Sequence, residues 1–306
     1  MKDSKAGTVI TLIAGIAWGL SGVSGQYLMI RGVSVDVITS FRLLISGVFL
    51  LSLAYATARE RLIAVLKSKS ALLGIFIFAM LGLVLNQTAY LQAIYHTNAG
   101  TATVLQYLCP ILVLAYTCLK DRQRPTGIEL ISIGLAIAGT FLIATHGQLD
   151  QLAVTPIGFF WGIFSAFTYA LYIILPTKLI REYGSTVVIG LGMLMGGSVV
   201  TVGLQTWQYS LPFDGGSLLG LLGIVGVGTI FAYTAFLKGV SLVGPVKGSL
   251  LASIEPVASV FFAVWLVNER FYLIDFVGMF LILMAVLLVS LKDLLVLESG
   301  KIKSKK

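Results

Sequence analysis

A single carboxylate and a single guanidinium inside long apolar runs are the groups in this sequence best placed to do chemistry. Glu255 lies in the run 246–267, directly before Pro256, and Arg42 lies in the run 35–58. An ionised acid in hydrocarbon is costly unless it is paired or hydrated. A carboxyl group taken out of water holds its proton more tightly, so an acid at Glu255 could couple proton movement to the movement of a solute, or bind a substrate amine. A structural acid paired with Lys247, Lys238 or Arg42 satisfies the same constraint. Pro256 removes one helix hydrogen bond and loosens the backbone beside the acid. Arg42 reads two ways as well: as a clamp for a substrate carboxylate, or as a long side chain that snorkels to the outer interface.

Uncharged polar and aromatic residues recur nearby at helical spacings of three and four. They are Trp18; Asn86, Gln87 and Tyr90; Thr103, Gln106 and Pro110; Tyr172; Tyr233; and Ser253 with Pro256. Such groups must face protein or a wet cavity, and a cavity of this lining suits a polar organic solute with an apolar part. Interhelical hydrogen bonds account for any one of them equally well. The amides of Asn86, Gln87 and Gln106 demand partners most strongly. Pro110 and Pro256 are the candidate hinges.

The elements that must position these residues follow from composition. Of 306 residues, 58% are hydrophobic and only 11% charged, far from soluble averages of roughly 45–50% and roughly 25%. The charges gather in punctuations such as Arg59-Glu60-Arg61 and Lys301 to Lys306. Between them run apolar stretches of about 20 residues, the length that crosses about 30 Å of hydrocarbon as a helix. The pattern predicts helices at about 8–30, 35–58, 71–95, 99–119, 126–145, 157–180, 187–209, 217–237, 246–267 and 271–291. The apolar Leu62–Leu66 segment between the second and third is suited to an interface. The expected class is an all-α polytopic membrane protein of ten transmembrane helices.

Ten crossings put both termini on one side. With the N-terminus placed in the cytoplasm, 18 of the 21 basic residues fall on cytoplasmic segments, as the positive-inside rule requires. Only Arg31 and Arg270 fall outside. The net charge of +8 therefore reads as membrane flanking and not as a nucleic-acid surface. Trp207 and Tyr209 have the character of interfacial belt residues. Cys109 and Cys118 share one predicted helix, roughly 13 Å apart, beyond disulfide reach.

An offset of 146 residues aligns the third to fifth helices with the eighth to tenth without a gap, carrying Thr88-Ala89-Tyr90-Leu91 onto Thr234-Ala235-Phe236-Leu237 and Pro110 onto Pro256. An offset of 151 carries Gly7 onto Gly158 and Trp18 onto Tyr169. Each half would hold five helices, an odd number, so the second half would enter the membrane from the opposite side. Inverted repeats of this kind are a construction of secondary transporters, with the substrate near the midplane.

Ala17-Trp18-Gly19, Ser40-Phe41-Arg42-Leu43-Leu44, the Pro110 segment, and Glu255-Pro256 leading to Asn268-Glu269-Arg270 together resemble the EamA-type transporters of the drug/metabolite transporter superfamily. The resemblance spans about 8–292. It implies two five-helix repeats, 8–145 and 157–292, a basic cytoplasmic tail at 293–306, and both termini cytoplasmic in the cell membrane. It further implies a small-metabolite substrate, an amino acid or related compound, moved outward. Two positions depart from the pattern: Leu119-Lys120-Asp121-Arg122 stands where Gly-Glu is common, and Cys109 occupies the repeat position of Glu255.

The functional expectation is a secondary transporter, not an enzyme, working by alternating access as a monomer or homodimer, with proton coupling at Glu255 and a second coupling candidate in Arg42. Its partners would be a small-molecule substrate and the lipid bilayer, with no nucleic acid. No phosphate-binding Gly-Lys-Ser/Thr loop is present, so no ATP is expected to drive it. His96 and His146 are the only histidines, and no cofactor or metal is expected. The alternative is a channel, receptor or scaffold without coupled transport.

Overall fold

The computed structural model describes residues 2–120, 122, 125–146, 153–209, 214–243, 248 and 251–303, with the side chains of 2–4, 117, 120, 289, 290 and 292–303 left aside. Thirteen helices of the described residues are numbered in chain order, with a short 3-10 turn at Thr206–Gln208 left unnumbered. They are α1 (Lys2–Ile30), α2 (Val35–Thr57), α3 (Arg59–Lys67), α4 (Lys69–His96), α5 (Ala99–Gln106), α6 (Cys109–Lys120), α7 (Gly127–Thr145), α8 (Pro156–Ile174), α9 (Thr177–Tyr183), α10 (Ser185–Gly203), α11 (Gly215–Val243), α12 (Glu255–Val267) and α13 (Leu273–Lys303). Of the apolar helical runs, eight are long enough to cross a membrane, and Glu255–Val267 and Leu273–Leu288 are shorter. The protein is therefore an all-helical, multi-pass membrane protein.

Local chemistry sets the helix ends. The side chain of Ser34 accepts from the Val37 amide at the start of α2, Asn98 from Thr101 at the start of α5, and Thr155 from Gly158 at the start of α8. Each satisfies a donor that the first helical turn leaves open. The connections are tight, and α1 ends in Gly32 at a φ of 84°, a left-handed conformation that glycine adopts without strain. The short α3 is amphipathic: Leu62 and Val65 are buried, while Arg59 and Arg61 face out.

The predicted helices differ from the observed ones at two kinds of place. Where continuous helices were expected at 99–119 and 246–267, the chain breaks. α5 stops at Gln106 and α6 restarts at Cys109; a two-residue turn at 253–254 precedes α12. Glu255 is thus not mid-helix, as its place in the run implied, but the first residue of α12, with Pro256 second. The cause is covalent. Proline has no N–H, so Pro110 and Pro256 cannot bond the carbonyls four residues back, those of Gln106 and Ala252. The second kind of irregularity is π-helical winding at Phe78–Val84 within α4 and at Leu222–Phe231 within α11. Both kinds occur twice at the same offset. Adding 146 to 107–108 gives 253–254, and adding it to 78–84 gives 224–230.

Packing joins elements distant in sequence. α2 lies along α10, α7 along α13, α1 against both α11 and α12, and α8 against α4 and α5. Close approach of α1 to the start of α12 depends on Gly19: a Cβ there would sit 2.7 Å from the Ser259 amide nitrogen and 2.9 Å from the Glu255 carbonyl oxygen. Gly19→Leu is therefore expected to lower stability by about 1–3 kcal/mol, the usual cost of overpacking. Gly203→Ala, with nothing within 4 Å, is the control. Thermal unfolding in detergent compares them.

Candidate functional site

The broken helices and the π-wound helices converge at mid-depth. Glu255 lies twelve residues before the end of α12, about 18 Å along its axis, near the middle of a span of about 30 Å. Around it stand Trp18 of α1, Gln87 of α4, Tyr107 between α5 and α6, Tyr169 of α8 and Tyr233 of α11. All six side chains are only partly buried despite this depth, so they line an accessible space. Arg42, Tyr90, Tyr107, Tyr169 and Tyr233 all interact electrostatically with Glu255. α1, α2, α4, α8, α11 and α12 and the turn between α5 and α6 each contribute a residue to this group.

Three hydrogen-bonded groups define the chemistry. The first is Glu255. Its Oε2 lies 3.0 Å from the Tyr107 hydroxyl, which also lies 3.2 Å from the Ala252 carbonyl oxygen. That carbonyl is the one Pro256 leaves without a backbone donor.

The second is Arg42, whose Nε donates to Thr229 Oγ1 at 2.9 Å and whose Nη1 donates to Gln87 Oε1 at 2.8 Å. Arg42 is 7% exposed, so it does not snorkel outward. The π-wound segment presents its partner: Thr229 donates its own proton to Ile224 O five residues back. Structural pairing of Glu255 with Arg42 is also absent. The ion pairs among the described residues are Arg31–Asp214 and His146–Asp275. Lys238 is exposed, and Lys247 lies outside the described residues.

The third is an amide cluster. Gln106 Nε2 donates to Asn86 Oδ1 at 3.3 Å, and the Thr168 hydroxyl, whose one proton has the Ser165 carbonyl at 3.0 Å, lies 3.2 Å from the same amide oxygen. Asn86 and Gln87, adjacent in sequence, therefore serve different partners. Nearby, Thr103 gives its proton to the Ala99 carbonyl at 2.7 Å, so the Tyr90 hydroxyl, 2.7 Å away, donates to Thr103.

The remaining expected residues fall around this centre. Trp18 meets Tyr233 edge-on at 5.9 Å and Phe236 at 4.9 Å. Tyr172 stacks on Tyr169 at 5.9 Å and touches Phe78, so it belongs to the wall behind Tyr169. Ser253 lies in the break before α12 and Pro110 near the start of α6; Ser249 and Arg124 lie outside the described residues. Tyr107 and Tyr169 carry interactions that the sequence reading did not assign. Tyr107 was legible only as the repeat position of Ser253 beside a proline.

A second set of ties lies at the opposite end from Lys2 and Lys69. Gln26 donates to Glu269 Oε1 at 2.6 Å and accepts the Ala99 amide at 2.8 Å, joining α1, α5 and the α12–α13 connection. Arg31 bonds Asp214. His146 Nδ1 and Asp275 Oδ1 are 2.5 Å apart. Burial holds the Glu269 carboxyl above its ordinary range, opposed by the Gln26 bond. The Ser217 backbone amide, then Arg31, holds Asp214 below its own. Beside this centre an apolar groove of about 670 Å³ lies between α12 and α13, lined by Pro256, Val260, Phe261, Trp265 and Phe280 among others.

Comparison with known proteins decides the family. The chain matches the EamA-like transporter family twice, over residues 5–145 and 156–291. It belongs to that family. It is 35% identical over 292 residues to the "Uncharacterized inner membrane transporter YicL" of Salmonella typhimurium, covering 95% of this chain and 97% of that one. It is 21% identical to the "Uncharacterized transporter YcbK" of Bacillus subtilis, covering 91% and 90%. It is also 26% identical to the "WAT1-related protein At4g16620" of Arabidopsis thaliana, over 66% of this chain and 64% of that one. One crystal structure superposes with a TM-score of 0.62 at 18% identity, covering 94% and 97%, which shows a shared fold. As an EamA-family member the chain is a membrane transporter.

The amide cluster yields a direct check. Asn86 is 8% exposed and Gln106 7%. Asn86→Leu leaves the Gln106 amide without its acceptor, while Thr168 keeps the Ser165 carbonyl, a loss of about 1–3 kcal/mol for a buried polar group. Thermal unfolding of this variant is expected to fall well below that of Thr177→Val, whose hydroxyl sits on an exposed helix end.

Proposed function

We propose that this EamA-family protein is a secondary transporter that moves a small polar metabolite across the cell membrane by alternating access, with a proton carried at Glu255. The observation that carries the reading is the shared hydroxyl of Tyr107. With Glu255 ionised, Tyr107 donates to the carboxylate. With Glu255 protonated, the acid donates to the Tyr107 oxygen, and the tyrosine proton turns to the Ala252 carbonyl that Pro256 orphaned. Protonation at one atom thereby changes how the broken helix end before α12 is satisfied. A group that both titrates and caps a helix break links charge to backbone position, which is what coupling requires.

The architecture proposed for this work is ten helices in two halves, 8–145 and 157–292, of opposite orientation, with both termini and the 293–306 tail cytoplasmic. In its support, the π-wound segments and the proline breaks recur at one offset. The packing partners also exchange consistently between halves: α1 with α11 answers α8 with α4, and α1 with α12 answers α8 with α6. In this architecture the Gln26, Arg31 and His146 ties lie together on the outer side. Outward movement of an amino acid or related compound is the substrate class and direction that the family resemblance implies. The sequence has no phosphate-binding Gly-Lys-Ser/Thr loop, so an ion or solute gradient is the proposed driving force.

Flux in proteoliposomes under an imposed pH difference tests the reading. Glu255→Gln is expected to remove the pH dependence and to lower coupled flux about tenfold or more, a barrier change of about 1.4 kcal/mol or more. Tyr107→Phe is expected to keep flux but shift its pH profile. Unchanged rate and unchanged pH dependence in Glu255→Gln would refute proton coupling at this residue. A current that never saturates with solute would favour a channel instead.

A further inference from the structure

Among the described residues, Arg42 is a buried cation with no ion-pair partner. A guanidinium offers five N–H donors. Among the described residues Arg42 gives two hydrogen bonds, to the neutral oxygens of Thr229 and Gln87, and no carboxylate lies within ion-pair distance. Glu255 reaches it only through space. Burying an unpaired charge is among the most expensive things a protein can do, so the position needs a reason.

Helix packing does not supply that reason. The offset of 151 carries Arg42 onto Met193, which is 1% exposed in α10. The crossing of α2 and α10 therefore accepts an apolar side chain at one of two corresponding positions. Nor does a proton relay supply it, because a guanidinium stays charged. What remains is an anion that arrives from outside the protein. The two bonds to Thr229 and Gln87 hold the guanidinium plane in place, and the planar fork matches one carboxylate, bidentately. A single positive charge balances a single negative one, which favours a monoanion over a phosphate dianion. The rings of Tyr90, Tyr233 and Trp18 around it offer an apolar surface for the rest of the molecule.

We infer that Arg42 is the anion subsite of the central chamber, and that the solute carries a carboxylate group on an aromatic or branched apolar body. This rests on the chamber being the solute site, as proposed above. The role of Gln87 and Thr229 is to position the guanidinium, and the neutral acceptors leave its charge undiminished for the ligand.

Matched acids and amides test the inference by equilibrium binding to purified protein, read as ligand-induced thermal stabilisation and Trp18-sensitive fluorescence. The probes are phenylacetate against phenylacetamide, indole-3-acetate against indole-3-acetamide, and isovalerate against isovaleramide. At least one acid is expected to bind about tenfold or more tighter than its amide, a factor worth about 1.4 kcal/mol. Arg42→Gln is expected to abolish that preference and Arg42→Lys to keep part of it. Arg31→Gln, at the outer surface, leaves the preference intact. Arg42→Met, which copies the corresponding residue of the other half, serves if the glutamine variant does not fold. Equal binding of acid and amide in every pair, or an acid preference that survives in Arg42→Gln, overturns the inference. Acids that bind through Arg42 but never cross a liposome membrane would instead defeat the transport reading and leave the subsite standing.

Discussion

Inside a bilayer no water is at hand to take up a backbone carbonyl that loses its helix partner, so every such group needs a protein donor or a wet cavity. The rest of the structure follows from where this chain breaks that rule. Pro110 and Pro256 each remove an amide donor, and the chain answers with turns at 107–108 and 253–254. The orphaned Ala252 carbonyl finds Tyr107. The π-wound segments of α4 and α11 face the same region, and one of them presents Thr229 to Arg42. Irregular backbone, ionisable groups and partial solvent access thus coincide at one depth, which is the arrangement expected of a transport site rather than of a packing defect.

The two halves share a backbone pattern but not a chemistry. At corresponding offsets stand Asn86 and Ala232, Gln106 and Ala252, Thr168 and Ala17, Glu255 and Cys109, and Arg42 and Met193. The polar cluster of Asn86, Gln106 and Thr168 is answered at the corresponding positions by three small apolar residues, Ala232, Ala252 and Ala17, all buried. The acid belongs to α12 and the cation to α2. A shared backbone pattern therefore holds an asymmetric set of side chains. Small residues such as Gly19 keep α1 close enough to α12 for a displacement of one to be felt by the other.

Much of the helical pattern was legible because hydrocarbon leaves few choices: run length places most of the apolar helices, though not the breaks before Pro110 and Pro256. The identities of Glu255, Arg42, Asn86 and Gln106 were legible too, since polar groups in apolar runs are expensive. Their partners were not. Sequence spacing could not show that Asn86 and Gln87 turn to different helices, because neighbours on a helix point about 100° apart and π-winding alters that angle. Arg42 looked free to snorkel, since its depth in α2 says nothing of Thr229 arriving from α11. Tyr107 escaped notice because a tyrosine in an apolar run is ordinary until a proline beside it orphans a carbonyl. The Gln26–Glu269 tie joins residues 243 apart, a contact no local pattern encodes.

The central claim is that the mid-depth chamber opens to one side at a time. Paired spin labels in liposomes measure this most directly, one pair at Ile30 and Leu273 across the outer ends and another at Leu119 and Leu242 across the inner ends, all at exposed positions. Two distance populations are predicted in each pair, with the outer pair lengthening as the inner pair shortens when pH or solute is changed. A single unchanging distance in both pairs, or both lengthening together, would contradict it.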